Sequence, residues 1–249
     1  MKIYLAGFRT IQNHFDKSTK DVYLLSSFWE HKTGRYEDYV MQKKHILDSG
    51  AFTAINDKTG KYKNFDWDIY CDKYISFIKK TKQKLFFELD IDCVVGLKKV
   101  EYYRKKIEDA IGIAPIVCWH QNRGSDYWIK SCEDYNYVAL GTTTTTKIGK
   151  KIRSNPWSLK WFINHAHNNN AKIHGLGFTS IKWLSKLNFD SVDSTSWLGG
   201  RYGNIYQFNN QKLNRYNFKK NKRVKDWYAL HIHNFIEWVK FSNFAEKNF

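Results

Sequence analysis

Eight short runs of β-branched and aromatic residues alternate along this chain with longer amphipathic stretches, an order that restricts it to folds in which helices join parallel strands. Strands are predicted over KIYLAG (2–7), VYLLSS (22–27), HILDS (45–49), KLFFELD (84–90), APIVCW (114–119), YVALG (137–141), KIHGLG (172–177) and FDSVD (189–193). Helices are expected at about 66–80, 97–111, 125–134, 156–168 and 180–187. The count suits an α/β barrel of TIM type, (β/α)8, regular or irregular. With 249 residues, 42% hydrophobic side chains and only 2 prolines, the chain can bury one large core but falls short of two full domains. Near Gln211 the character changes: the basic run KKNKRVKD (219–226) precedes an aromatic stripe through Trp227, His231, Phe235, Trp238 and Phe241. That spacing predicts a carboxyl-terminal helix packed on the barrel, so the chain divides into a barrel over 1–210 and a basic segment with its helix over 211–249.

Helix starts show where the preceding strands stop. Asn155 stands before Pro156, and Thr179 or Ser180 stands before the apolar Ile181, Trp183 and Leu184. Asp48, Asp90, Gly141, His174 and Asp193 then fall at the carboxyl ends of strands, where α/β barrels collect their chemistry. An open doubly wound sheet uses the same ends, so this placement leaves both folds standing.

The 41 Lys and Arg against 24 Asp and Glu give a formal charge of +17, which attracts polyanions and makes nucleic acid the natural partner. A lysine-rich and asparagine-rich genome produces the same balance, so charge supports a motif argument without replacing one. The opening MKIYLAGFRT is too short an apolar run for a secretory signal, and no segment nears the ~18 apolar residues that span a bilayer; the expectation is a cytoplasmic protein with no membrane partner. Cys71, Cys93, Cys118 and Cys132 are scattered without metal or disulfide spacing and read as buried or free thiols.

Five segments carry candidate chemistry. HILDSGAF (45–52) ends a strand on Asp48 and turns through Ser49 and Gly50; by itself, an acid capping a turn accounts for it equally well. His174 in IHGLGFTS (173–180) is either a packed imidazole or a flat face for a ligand. FDSVD (189–193) pairs Asp190 and Asp193, ELDID (88–92) offers Asp90 and Asp92, and VALG (138–141) ends on Gly141.

In collinear order from Asp48 to Gly203 these segments resemble the tRNA-guanine transglycosylase family. HILDSGAF is similar to the family's Asp-Ser-Gly-Gly-Phe/Tyr, IHGLG to its Leu-Met-Gly-Val-Gly, FDSVD to its Asp-Met-Phe-Asp-Cys and VALG to its Ala-Ile-Gly-Gly. The resemblance implies Asp193 as the nucleophile toward the sugar C1′, with Asp190 structural, and Asp48 as general acid/base toward the heterocycle. It implies a base clasped between Phe52 and His174, with Gly175 beside it. Asp90, preferred to Asp92, would accept the guanine N1 and amino protons, and backbone groups of Gly141 and Thr142 would serve the other edge. Two separate carboxylates suffice for such an exchange, so no cofactor and no metal is expected.

Departures from the family refine the expectation. The Cys-x-Cys-x-x-Cys and His zinc site is missing, Ser194-Thr-Ser-Trp197 replaces Pro-Thr-Arg, and Ile116-Val-Cys-Trp-His-Gln121 replaces Ile-Val-Gln-Gly-Gly, which displaces Gln121. The shortened form looks like the transglycosylase-like enzymes that insert 7-deazaguanines into DNA. The expected partners are therefore a nucleic acid, DNA ahead of tRNA, and a free 7-deazaguanine-type base. Arg201, Lys219, Lys220, Lys222 and Arg223, with Lys225, are the candidate phosphate contacts. A glycosylase on the same scaffold and a non-catalytic nucleic-acid-binding barrel are the competing readings.

Overall fold

A computed structural model describes residues 1–15, 21–31, 38–55, 65–142, 147–178, 180–218 and 223–249. Seven parallel strands form one curled sheet: β1 (Lys2–Ala6), β2 (Leu24–Ser27), β3 (His45–Asp48), β4 (Val117–His120), β5 (Tyr137–Gly141), β6 (Lys172–Gly175) and β7 (Ser191–Ser194). Their order is β3-β2-β1-β7-β6-β5-β4, so every strand but one lies beside its successor in sequence. The exception is the step from β3 to β4, the two edges of the sheet.

The predicted strand at 84–90 lies in that gap without becoming a regular strand. It makes single parallel bridges, Leu47 to Phe86 on one side and Phe87 to Ile116 on the other. Phe87 N donates to Leu47 O at 3.0 Å, and Ile116 N donates to Phe86 O at 2.8 Å. The ladder stops there for a physical reason: the next donor, Cys118 N, bonds the side chain of Glu88 at 2.9 Å instead of a main-chain carbonyl. Buried Glu88 is held in turn by Arg104 Nε at 2.6 Å and Arg123 at 2.7 Å. These charges fix the segment to β4 and to the helices over it.

Alternate residues of each strand bury on opposite faces. Tyr4, Ala6, Tyr23, Leu25, Ile46, Phe87, Ile116, Cys118 and Ala139 form a core inside the curl. Ile3, Leu5, Leu24, Leu47, Val138, Ile173 and Val192 face outward under the helices, in a second and larger core. Each such aliphatic side chain contributes roughly 1.5–3 kcal/mol when fully buried, which is why the strands read as nearly continuous apolar runs.

After β2 and β3 come the one-turn helices α1 (Phe28–His31) and α2 (Ala51–Ile55), followed by α3 (Trp67–Thr81), the short α4 (Asp92–Val95), α5 (Leu97–Ile111) and α6 (Gly124–Asp134). Asp66 caps α3 by accepting from Ile69 N. Next are α7 (Lys147–Ser154) and α8 (Pro156–Asn168), which Asn155 caps as its sequence predicts by accepting from Trp157 N at 3.0 Å. The helix expected at 180–187 shrinks to α9 (Ile181–Leu184), whose N-cap Ser180 makes no capping bond; Thr179 lies outside the described residues.

Beyond β7 a 3-10 turn (196–202) leads to an antiparallel hairpin, β8 (Asn204–Asn209) and β9 (Lys212–Asn217), and then to α10 (Tyr228–Asn248). The hairpin turns at Asn210 and Gln211, both at positive φ, where the sequence changes character. His231, Phe235, Trp238 and Phe241 are buried as the stripe predicts, and Ser242 Oγ donates to Ile3 O at 3.1 Å, seating α10 on β1. Among the described residues no helix is long and apolar enough to cross a membrane. Cys71, Cys118 and Cys132 are buried and Cys93 is exposed, all as free thiols.

Candidate active site

Asp48 is the last residue of β3, and its backbone turns at once. Gly50 N donates to Asp48 Oδ2 at 2.9 Å, Ala51 N to Ser49 Oγ at 3.3 Å and Tyr70 Oη to Ser49 O at 2.7 Å. Gly50 is required here: its φ is +76°, and a Cβ would lie 2.7 Å from Ser27 Oγ, Trp29 Cβ and Trp29 N. The turn aims Asp48 into a crowd of carboxylates. Burial, then the negative charge of Asp90, with Asp193 and Glu30 adding to it against the Gly50 hydrogen bond, raises its pKa from 3.8 to about 7.

Asp90 stands beside it, accepting from Ser49 Oγ at 3.3 Å and from His120 Nε2 at 3.0 Å. His120 closes β4, and its other nitrogen, Nδ1, meets Gly141 O at 3.1 Å across the pair His120↔Gly141. Both ring nitrogens thus face acceptors, an arrangement that only the doubly protonated imidazolium satisfies. Burial opposes that charge, but the hydrogen bond and charge of Asp90 outweigh it and raise the His120 pKa above its ordinary value. Gly141 must be glycine for this approach, since a Cβ would stand 2.5 Å from His120 Cε1.

Asp193, in β7, completes the constellation. Its Oδ1 accepts from Gly177 N at 2.6 Å and His174 Nε2 at 3.2 Å, so among the described residues Oδ2 carries no hydrogen bond. Behind it runs a polar chain: His174 Nδ1 lies 2.5 Å from Ser191 Oγ, which lies 2.6 Å from Tyr137 Oη. One neutral tautomer satisfies every member, with Tyr137 donating to Ser191, Ser191 to Nδ1, and Nε2–H to Asp193. Asp48 and Asp193 therefore share the carboxyl end of one sheet and interact by charge.

Other expected site residues lie differently. His174 is completely buried, packed against Phe87 at 5.2 Å and Tyr4 at 6.2 Å between ring centroids, so it cannot form a face of a base sandwich; it positions Asp193 instead. Asp92 is bound by Arg123 at 2.7 Å and by Asn122, and Arg123 outweighs burial to lower its pKa. That pairing with a buried guanidinium argues against Asp92 as an acceptor for a ligand. Gly175 is buried in β6, paired with both β5 and β7. Phe52, the second residue of α2, is 76% exposed, four residues from Asp48. The carbonyls of Gly141 and Thr142 are taken by His120 and Arg153. Arg201 lies 5.0 Å over the Trp227 ring, and Arg223 is exposed. Lys219, Lys220 and Lys222 lie outside the described residues.

His120 and the Tyr137–Ser191–His174 chain escaped the sequence reading. The only signal for His120 was its place at the end of APIVCW, one residue before Gln121. Among the described residues no group of three His, Cys, Asp or Glu side chains is arranged to hold a metal. No protein-family model and no curated protein matches this chain.

Proposed function

We propose that this chain exchanges a guanine in nucleic acid, DNA ahead of tRNA, for a 7-deazaguanine-type base through a covalent glycosyl intermediate on Asp193, as a cytoplasmic enzyme. In this reading the sheet closes through residues 85–88 into a (β/α)8 barrel, whose carboxyl mouth holds the reaction. The observation that carries it is two carboxyl groups at one mouth: Asp48 with a pKa near 7, and Asp193 anchored through one oxygen while the other, among the described residues, carries no hydrogen bond. An acid that titrates near neutrality can give and retake a proton, while an anchored carboxylate can attack carbon.

The steps balance without further reagents. Asp193 Oδ2 bonds C1′ as the C1′–N9 bond breaks, and the departing guanine takes the proton of Asp48. The incoming base returns a proton to Asp48, bonds C1′ and releases Asp193. Asp90, steadied by His120, accepts the donor edge of either base, and exposed Phe52 offers a stacking face to a nucleotide drawn from its helix. Incubation with guanine-containing DNA and radiolabelled guanine tests the reading. Label should enter the DNA with the native protein and fail to enter with Asp193→Ala; undiminished incorporation by that variant contradicts the assignment, and abasic sites in place of exchange would favour a glycosylase.

A further inference from the structure

We propose that the cleft between α7 and α9 seats the sugar–phosphate backbone of a single-stranded stretch flanking the nucleotide whose base enters the acid mouth. This inference rests on the base-exchange reading and adds the place where the polyanion lies. The cleft, of about 590 Å³, is lined by Lys150, Lys151, Arg153, Lys182 and Trp183 with two serines, and by no acid. Helix α7 carries Lys147, Lys150, Lys151 and Arg153 within its 8 residues and has no carboxylate.

The lysines here gather without carboxylate partners, unlike those along α5. On α5, Lys99 pairs with Asp68, Lys105 with Asp109 and Lys106 with Asp72. Among the described residues Lys150, Lys151, Lys182 and Lys186 pair with no carboxylate. Lys182 and Lys186 instead share one indole, at 5.0 and 5.6 Å from the Trp183 ring centre. Two like charges on one ring repel, and a phosphate between them relieves that repulsion.

Position ties the cleft to the acids. Arg153 donates to Thr142 O and Leu176 O at 3.4 Å and also to Gly177 O, bracing the loops after β5 and β6. Gly177 N is the donor on Asp193, so a strand lying over α7 and α9 passes within one loop of the nucleophile. Trp157, 77% exposed at the start of α8, supplies a stacking face of the kind that unpaired bases use irrespective of sequence. A concave cleft beside a buried acid site fits a strand better than a flat lipid surface.

The test uses the whole chain and a fluorescent single-stranded DNA of mixed sequence, titrated over a range of salt. Lys150→Ala/Lys151→Ala/Lys182→Ala/Lys186→Ala should bind at least tenfold more weakly, with the log–log salt slope reduced by about 2, at ~0.7 for each of about three phosphates, Lys182 and Lys186 sharing one. A control that removes equal charge from exposed lysines elsewhere, Lys79, Lys84, Lys98 and Lys130, should bind nearly as the native chain does. Equal losses in the two variants, or native binding by the cleft variant, overturns the proposal. So does a cleft variant that loses binding to phosphatidylserine vesicles while keeping DNA. Cleft-dependent DNA binding by a protein that exchanges no base would sink the exchange reading alone; native binding by a cleft variant of an exchanging enzyme would sink the cleft alone.

Discussion

The proposed chemistry turns on one proton, that of Asp48. Its folded pKa of about 7 stands above its ordinary 3.8, so the native state favours the protonated carboxyl. The associated stability is fully present below pH ~4 and is lost as the pH rises through 7, by at most about 4 kcal/mol because the half-buried group keeps some contact with water. Asp48→Asn, a mimic of the protonated form, should therefore raise the melting temperature over the native protein at pH 8.5 and leave little difference at pH 4. The same variant should lose 100-fold or more in kcat/KM, and the native profile should show a limb near pH 7. A variant less stable at pH 8.5, or fully active, contradicts the role. Gly50→Ala forces a Cβ into Ser27 and Trp29 at positive φ, and should cost about 2 kcal/mol or more in urea unfolding together with most of the activity. At this scale the sequence was partly legible. Asp48 and Asp193 could be found because strand-end acids stand out, but the burial of His174 depends on Ser191 and Asp193, 17 and 19 residues away, which no local pattern reveals.

The segment 85–92 shows the same limits among elements. All eight predicted strand positions take their places along the sheet or between its edges, because strands buried on both faces must be apolar throughout. That one of them would be bridged instead of laddered was hidden, since it depends on Glu88 meeting Arg104 and Arg123 from later helices. Glu88→Gln keeps the shape but leaves the buried Arg104 guanidinium without its counter-charge and Arg123 with Asp92 alone. It should cost roughly 3–5 kcal/mol, read as a lowered urea midpoint with an unchanged slope. Stability equal to that of the native chain would show that the pairing does not secure the segment. The β8–β9 hairpin was not foreseen because its turn uses Asn210 and Gln211 without glycine, and α7 was hidden by the charge that covers it.

Across the whole molecule, a chain of net charge +17 gathers Asp48, Asp90 and Asp193 at one end of its sheet, with a lysine cleft one loop away. Repelling carboxylates held together oppose folding, and basic surface around them suits the polyanion substrate proposed above. The central claim is that Asp193 bonds that sugar. Its most direct test is intact-protein mass spectrometry after acid quenching of the chain with a short guanine-containing single-stranded DNA. We predict a species heavier by the oligonucleotide less guanine, with the added mass mapping to the peptide that holds Asp193 and absent from Asp193→Asn; the same adduct on the Asn variant, or base exchange with no adduct under any quench, would contradict the account.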